Sequence, residues 1–245
     1  MIVPKSSEAD TRRPLLKNGA LHADICIVGA GSGGLSVAAG AVQMGASVVL
    51  IEKGKMGGDC LNTGCVPSKA LIAAAHAAQA IRTSDRLGVE AREPRLAFAD
   101  VHKHIHGVIA KIAPHDSVER FEGLGVTVLK AAAKFVATDR IEAGSQVVHA
   151  RRFVIATGSS AAVPPVPGLT EVPYLTNESI FDLTTLPEHL IVIGGGPAPG
   201  INGVISAATI EAPIVCDGTV GVLAHAPSES NRLECVHLRF LLARW

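Results

Sequence analysis

Apolar and polar positions along the chain alternate between strand-like and helix-like patterns. An apolar run ends at Val28 and meets a glycine-rich turn, after which the pattern predicts a helix of small residues to about Met44. A second apolar run covers residues 48–51 and is closed by Glu52. Strand, turn, helix and strand in this order predict a parallel βαβ unit.

Helix and strand patterns recur farther along the chain. Residues 67–82, which are rich in alanine, and residues 98–114 predict two helices. Residues 126–156 contain short apolar runs separated by turn residues and predict small strands. A proline-rich connector at residues 164–168 precedes an apolar strand that enters a second glycine-rich turn at residues 190–197.

These patterns predict an α/β fold in two parts after a polar tail over residues 1–20. Residues 21–188 are expected to form a Rossmann-like domain with a parallel sheet and a small antiparallel β element. Residues 189–245 are expected to form an incomplete second nucleotide-binding unit, because a second strand again enters a glycine-rich turn.

The charge balance and the scarcity of aromatic side chains argue against two classes of partner. Lys plus Arg and Asp plus Glu number 22 each, and aromatic residues make up 3% of the 245 residues. Nucleic acids and anionic membranes are bound by basic surfaces, and single strands also by aromatic platforms. We therefore expect no nucleic-acid and no membrane partner. The N-terminus is polar and no apolar run is long enough to span a bilayer, so a cytoplasmic location is predicted.

The first glycine-rich turn carries the spacing of a dinucleotide-binding fingerprint. Gly29, Gly31 and Gly34 follow the first strand and precede the helix, and Glu52 ends the next strand. In such a turn the first glycine allows the tight bend, the second lets the backbone approach a pyrophosphate, and the third permits close packing of helix on strand. The alternative is a glycine-rich turn in an unrelated α/β protein. The strand–turn–helix setting favours the dinucleotide site.

Two cysteines, Cys60 and Cys65, lie in the sequence GGDCLNTGCVPSKAL. Pro67 favours the first turn of a helix, so Cys65 is expected near a helix N-terminus, where the dipole and Lys69 one turn later favour a thiolate. A zinc site would need further ligands, which the neighbouring residues do not offer. A structural disulfide and a metal site remain alternatives. The pattern and the predicted compartment favour a redox dithiol.

Together these motifs resemble the class I flavoprotein disulfide reductases, which include dihydrolipoamide dehydrogenase, glutathione reductase and mercuric reductase. The resemblance covers residues 22–197 and rests on GAGSGG, IEK, GGDCLNTGCVPSKAL, ATGSS and PPVPG. The segments GGDCLNTGCVPSKAL and YLTNESIFDLTTLPEHLIVIGGGP together resemble the mercuric reductase and dihydrolipoamide dehydrogenase branch more than glutathione reductase. The resemblance implies an oxidoreductase that passes a hydride from NAD(P)H to FAD and two electrons through the dithiol. The acceptor would be a small-molecule or protein disulfide, or a metal ion.

The resemblance also assigns roles to particular residues. Cys65 would be the flavin-side thiol that forms a charge-transfer complex, Cys60 the outer thiol that exchanges with substrate, and Lys69 a neighbour of the flavin N5 edge. The residues that the resemblance places on FAD are Gly29, Gly31, Gly34, Glu52, Gly58, Ala133, Thr157 and Gly158, and those that it places on NAD(P)H are Gly194 and Gly196.

Several positions depart from the family pattern. Asp59 stands where the family often has threonine, and it is expected to alter the pKa of Cys60. Pro199 occupies the third position of the second glycine motif, where glycine is required, although Asp217 follows at the separation expected of a ribose-binding carboxylate. The residues after 212 lack the family's dimerisation domain. An alternative function is therefore a non-catalytic FAD-binding fragment or a non-functional truncated or frameshifted product.

Three remaining features are given simpler interpretations. Residues 194–212 resemble the opening glycine loop of phosphofructokinases, but no other motif of that family follows. Cys26 lies in an apolar strand and is expected to be inert. His102, His104 and His106 are interpreted as solvated helix residues, and no metal site is predicted, because the sequence offers no carboxylate or cysteine to complete one.

Overall fold

The computed structural model describes residues 13–193, 216–217 and 222–225, with side chains to residue 191. The chain divides into two compact units. The first draws its described residues from Met1–Val66 and Gly107–Ser160, and the second from Pro67–His106 and Ala161–Trp245. The segment over residues 194–212 that resembles a phosphofructokinase loop, with Gly194 and Gly196, lies outside the described residues.

Helices and strands alternate along the described chain as the sequence patterns predict. The helices are α1 (Ser32–Gln43), α2 (Gly58–Asn62), α3 (Cys65–Arg82), α4 (Phe98–Ile112) and α5 (Val118–Gly123). The strands are β1 (Leu15–Lys17), β2 (Ala20–Val28), β3 (Val48–Ile51), β4 (Thr127–Leu129), β5 (Ala133–Ala137), β6 (Arg140–Ala143), β7 (Gln146–Ile155), β8 (Tyr174–Leu175), β9 (Leu190–Ile193), β10 (Cys216–Asp217) and β11 (Val222–His225).

The first unit is built on a mostly parallel sheet in the order β4-β3-β2-β7-β6-β5. Strand β2 lies between β3 and β7 and is parallel to both, with Val28 opposite Ile51 on one side and Ile155 on the other. Strands β5, β6 and β7 pair antiparallel. The predicted Rossmann-like parallel sheet and its small antiparallel element are both confirmed.

Both faces of this sheet are covered by apolar side chains. One cluster joins α1 and α5 to the sheet through Leu35, Phe121 and Leu50, all at most 5% exposed. The other face holds Cys26 and Val148, both fully buried. A strand buried on both faces reads as a continuous apolar run, which is why β3 is Val-Val-Leu-Ile. The rigid centre of the sheet fixes where β2 and β3 end, and therefore where the glycine turn lies.

The N-terminal residues differ from the predicted tail. Residues 15–17 form β1, which pairs antiparallel with the start of β2. Asn18 and Gly19 connect the two strands with φ of +50° and +78°. An Asn-Gly pair with two positive φ values is the preferred two-residue hairpin turn.

The second unit contains a small sheet in the order β10-β9-β11-β8. Strands β9 and β10 are parallel, with Ile193 opposite Asp217. In the first unit Val28, the residue before the glycine turn, pairs with Ile51, which precedes Glu52. In the second unit Ile193 pairs with Asp217 itself, so Asp217 lies one residue earlier relative to its partner strand than Glu52 does. In the described part of the chain, none of the helices has the length and apolarity that crossing a bilayer requires.

Candidate active site

The glycine turn after β2 is shaped by contacts that exclude side chains. Gly29 has a φ of +105°, and a Cβ there would lie 2.1 Å from the carbonyl oxygen of Ala156. A Cβ at Gly34 would lie 1.8 Å from the carbonyl oxygen of Gly29. Both distances are far below van der Waals contact, so glycine is required at both positions. The predicted roles of the first and third glycines, a tight bend and close helix packing, are consistent with these contacts.

Glu52 lies directly after β3 and accepts a hydrogen bond from the backbone of the turn. Its Oε2 accepts a hydrogen bond of 2.6 Å from the backbone N–H of Ala30, and its Oε1 accepts one of 2.6 Å from Gly54. A carboxylate has about four acceptor positions, so two positions are still free to accept further donors. Glu52 therefore combines a structural role with the capacity to accept hydroxyl groups.

A second glycine pair, Gly57–Gly58, packs against the turn backbone to backbone. The N–H of Gly57 donates to the carbonyl oxygen of Ala30 at 2.9 Å. A Cβ at Gly58 would lie 2.7 Å from the Cα of Gly31. Helix α2 begins at Gly58, so this contact holds Cys60, two residues later, close to the glycine turn.

The loop between α2 and α3 brings the two cysteines together. The Asn62 side chain donates to the carbonyl oxygens of Met56 and Gly58 at 3.0 and 2.8 Å, and a Cβ at Gly64 would lie 2.9 Å from the carbonyl oxygen of Asp59. Cys65 is the first residue of α3, as its predicted place near a helix N-terminus requires. Cys60 and Cys65 are half-buried and are not joined in a disulfide; their thiols hydrogen-bond to each other, and the Cys65 N–H donates to the Cys60 sulphur.

The surroundings of Cys60 hold its proton. Burial, the hydrogen bond with Cys65 and the charge of Cys65 raise the pKa of the Cys60 thiol to about 11, and the carboxylate of Asp116 adds to this effect. Asp116 approaches within 3.1 Å of the Cβ position of Gly57. Asp116, rather than the predicted Asp59, is thus the carboxylate that acts on Cys60. Sequence reasoning missed Asp116 because it is distant along the chain.

Cys26, the other described cysteine of the first unit, is unreactive. Cys26 is fully buried in β2, and burial raises the pKa of its thiol to about 12. The thiolate is the reactive form of cysteine, so a buried thiol with this pKa does not react at neutral pH. The expectation that Cys26 is inert is consistent with this burial.

A fingerprint turn, a following carboxylate and a paired dithiol are the parts of a flavoprotein disulfide reductase. The model of the family described as pyridine nucleotide-disulphide oxidoreductase matches residues 23–208 of this chain. The chain belongs to this family. This family consists of FAD-dependent enzymes that use pyridine nucleotides.

Mercuric reductases are among the relatives of this chain. The enzyme of Streptomyces lividans is 36% identical over 179 residues, which cover 71% of this chain and 38% of that protein. The enzyme of Bacillus cereus is 34% identical over 190 residues, which cover 78% of this chain and 30% of that protein. The chain thus spans about a third of the length of these curated relatives.

A solved structure has the same fold. The Cu(II) complex of the HOCl-induced flavoprotein disulfide reductase RclA from Escherichia coli matches with a TM-score of 0.65 at 23% identity, over 79% of this chain and 41% of that one. At this identity the likeness concerns the fold alone.

The surroundings of Gly31 fit one part of the FAD that the family uses. Its φ of −79° is open to any residue, and a Cβ there would meet only Gly58 Cα, at 3.8 Å. Neither backbone conformation nor packing requires glycine here, and the open space lies beside the start of α1. That helix start has no side-chain cap and no acidic residue in its first turn, so its N–H groups favour an anion. The donor set and the space fit a pyrophosphate.

The remaining predicted residues are found in different settings. Thr157 and Gly158 follow β7 beside the turn, where the Thr157 Cα is 3.2 Å from the Cβ position of Gly29 and Gly158 has a φ of +69°. Ala133 begins β5 and packs against the apolar cluster around Cys26. Lys69 belongs to the second unit and is exposed on α3. Gly194 and Gly196 lie outside the described residues.

Proposed function

We propose that this chain binds FAD at the glycine turn and passes electrons through a Cys60–Cys65 dithiol to a disulfide or a soft metal ion, with NAD(P)H as the electron source. One observation supports the proposal: the thiols of Cys60 and Cys65 are in contact, and the helix that carries Cys60 begins at Gly58, which packs on Gly31 of the fingerprint turn. A structural cysteine pair has no need of that placement.

The residues that would hold FAD follow from the geometry of the turn. The open space at Gly31 and the N-terminus of α1 would receive the pyrophosphate, and the free acceptor positions of Glu52 would take ribose hydroxyls. Gly29, Gly34, Thr157 and Gly158 would line the same turn. Family resemblance adds the Ala133 backbone, and it places Lys69 near the isoalloxazine ring. FAD, when bound, accepts two electrons from a nicotinamide and delivers them to a disulfide.

The dithiol performs the second half of the reaction. The Cys60 thiolate attacks one sulphur of a disulfide substrate, the substrate S–S bond breaks, and the leaving thiolate takes up a proton. Cys65 then attacks the Cys60 sulphur, which forms the Cys60–Cys65 disulfide and releases the second substrate thiol. Two electrons leave the dithiol and reduce the substrate. Since its surroundings keep the proton on Cys60, this proton must leave before the first attack.

The names of the relatives suggest the second substrate class. Mercuric reductases act on mercury, and the solved flavoprotein disulfide reductase was obtained with copper(II). Thiolates are soft ligands that favour such ions. One Hg(II) ion held by Cys60 and Cys65 would take up both electrons and leave as Hg(0) while the dithiol becomes a disulfide, whereas Cu(II) takes one electron per ion, so two copper ions would be reduced to Cu(I) for each dithiol oxidised.

Visible spectroscopy of the purified full-length chain tests the proposal. The protein should retain or take up FAD, turn yellow, and develop a long-wavelength thiolate-to-flavin absorbance after anaerobic two-electron reduction. Dithionite as well as NADH and NADPH should serve as donors, because dithionite tests the dithiol independently of the nicotinamide site. A protein that stays colourless after incubation with FAD would refute the proposal.

Single variants assign the two thiols. Cys65→Ser should abolish the long-wavelength band, whereas Cys60→Ser should retain or enhance it. Cys26→Ala is the matched control, because that cysteine is buried away from the turn and its loss should leave the band unchanged. The opposite pattern for Cys60 and Cys65 would overturn the assigned roles. Reduction by dithionite but not by NADH or NADPH would favour a flavin-binding unit without turnover.

A further inference from the structure

Two histidines and an aspartate of the second unit form a cluster of metal-ligand groups. His102 and His106 lie on α4, and Asp182 ends a short 3-10 helix at Ile180–Asp182. One ligand atom of each lies within 4.8 Å of the others. The imidazole rings of the two histidines are 4.3 Å apart between centroids. Nothing in the proposed flavin or dithiol chemistry uses these residues.

The backbone elements that carry the cluster are anchored by buried neighbours. Residues four apart share a helix face, so α4 presents His102 and His106 on the same side. Ile105, between them, is 2% exposed, and Ile180 and Phe181, next to Asp182, are 6% and 4% exposed. The ligand groups are therefore presented by fixed backbone positions, as a preorganised site requires.

His106 lacks a hydrogen bond where a ligand would supply an interaction. Among the described residues its Nε2 atom is buried and has no hydrogen-bond partner. The nearest carboxylate oxygen, Oδ1 of Asp182, lies 3.6 Å away, which is too long for a hydrogen bond. Buried polar atoms in proteins normally have a partner. A cation between the two groups would satisfy both.

We propose that His102, His106 and Asp182 bind a divalent transition-metal ion, with Zn²⁺ as the best match. The sequence predicts no metal site because it shows no third ligand near the histidines, and the fold supplies that ligand as Asp182. Imidazole and carboxylate groups suit zinc, nickel, cobalt or copper better than the oxygen-seeking magnesium or calcium. Three protein ligands leave a tetrahedral position for water or another ligand.

The distances are compatible with closure around an ion. Ligand atoms at about 2.1 Å from zinc are about 3.4 Å apart in a tetrahedral site. Since the three ligand atoms lie within 4.8 Å of one another, binding an ion would shorten any of their separations by about 1.5 Å at most. The side chains of His106 and Asp182 are 42% and 72% exposed, so they have room to move and to open the buried Nε2 atom to an ion.

Zinc titration of the full-length chain tests this site, in a Cys60→Ser/Cys65→Ser background that removes the dithiol as a competing ligand. We expect saturable Zn²⁺ binding that His106→Ala and Asp182→Asn each weaken by at least about tenfold. His104→Ala is the matched control: it lies on the same helix, is exposed, and is not part of the cluster. The zinc affinity of the His104→Ala variant should equal that of the parent.

Cobalt substitution and thermal melting give independent readouts. Bound Co²⁺ should show visible d–d bands without a thiolate-to-cobalt band, and at equal concentration Zn²⁺ should raise the melting temperature of the parent more than that of Asp182→Asn. Asp182→Asn changes an exposed side chain, so it stays informative if a histidine variant folds poorly. Equal zinc affinity in the parent and a His102→Ala/His106→Ala/Asp182→Asn variant would overturn the proposal, as would a cobalt spectrum dominated by thiolate.

Discussion

The reduced, flavin-free protein should have an unusually unreactive Cys60, and Cys65→Ala should activate it. The pKa of the Cys60 thiol is raised to about 11, first by burial and then by the hydrogen bond and charge of Cys65. Replacing Cys65 by alanine removes its side-chain contributions and leaves burial in place. The pKa of Cys60 should therefore fall part of the way towards 9.0, the value of an unperturbed thiol.

The size of the effect follows from the shift. A rise from 9.0 to about 11 lowers the thiolate fraction about 100-fold at any pH below both values. The nucleophilicity of a thiolate rises with its pKa with a Brønsted coefficient of about 0.4–0.5, which returns about six- to tenfold. Cys60 should thus react roughly ten- to fifteenfold more slowly than an ordinary cysteine near neutral pH. Cys65→Ala should recover a few-fold of this difference.

Site-resolved alkylation measures this directly. Iodoacetamide labelling over a pH series, followed by mass spectrometry of the separate cysteine peptides, gives a rate and an apparent pKa for Cys60. Cys26 in the same sample is the unreactive reference, because its pKa is raised to about 12 by burial. Asp116→Asn should accelerate Cys60 less than Cys65→Ala does, because Asp116 contributes less to the shift.

Two results would refute this reasoning. The first is a Cys60 that labels at neutral pH as fast as a cysteine in an unstructured peptide. The second is a Cys65→Ala variant in which Cys60 labels more slowly than in the parent. Either would mean that the contact between the thiols does not hold the proton on Cys60.

Three further predictions concern the frame of the site. Gly34→Ala places a Cβ 1.8 Å from a backbone oxygen. It should lower the free energy of unfolding by about 1–3 kcal/mol or more, and it should also weaken FAD binding. Gly40→Ala, in open space on the same helix, should stabilise by about 0.5–1 kcal/mol, so equal melting temperatures for the two variants would count against the packing argument. Glu52→Gln leaves one backbone N–H without its acceptor and should cost about 1–3 kcal/mol in denaturant unfolding, and an unchanged midpoint would contradict this. The Ser47 backbone N–H lowers the pKa of Asp24 below 3.8, so the stabilisation that Asp24→Asn removes should be full at neutral pH and disappear as the pH falls through that lowered pKa. A stability difference that persists in strong acid would contradict the assignment.

Local features of the fold were predictable because each is encoded within a few residues. The apolar run of β3 reflects burial on both faces, and the glycines of the first turn mark contacts that no Cβ can enter. Pro67 indicated correctly that a helix begins near Cys65. The Asn18–Gly19 turn is also encoded locally, but the strand before it, β1, has only three residues and therefore gives no clear strand pattern.

Contacts between distant segments were not predictable from local patterns. Asp116 reaches the Gly57 region from the stretch between α4 and α5, and no periodicity in either segment announces this contact. Asp182 meets His106 for the same reason, through the packing of separate elements. Both cases changed the chemistry: one supplies a carboxylate to the dithiol, and the other completes a set of metal ligands.

The turn and the dithiol are joined by one backbone contact, and this has a consequence for the proposed cofactor. Gly58 begins the helix that carries Cys60, and its Cα hydrogens face the Cα of Gly31 so closely that a Cβ would be 2.7 Å away. An ordinary carbon contact is about 3.5–4.0 Å, so a side chain at Gly58 would have to displace the turn, the helix or both. Because the space that fits a pyrophosphate lies at Gly31, we expect a group bound in that space to affect the environment of Cys60 through this contact. Binding of FAD should therefore alter the labelling rate of Cys60 even before any electron is transferred. Gly58→Ala should reduce this effect of FAD on Cys60 labelling, and the labelling rate of the buried Cys26 should change less.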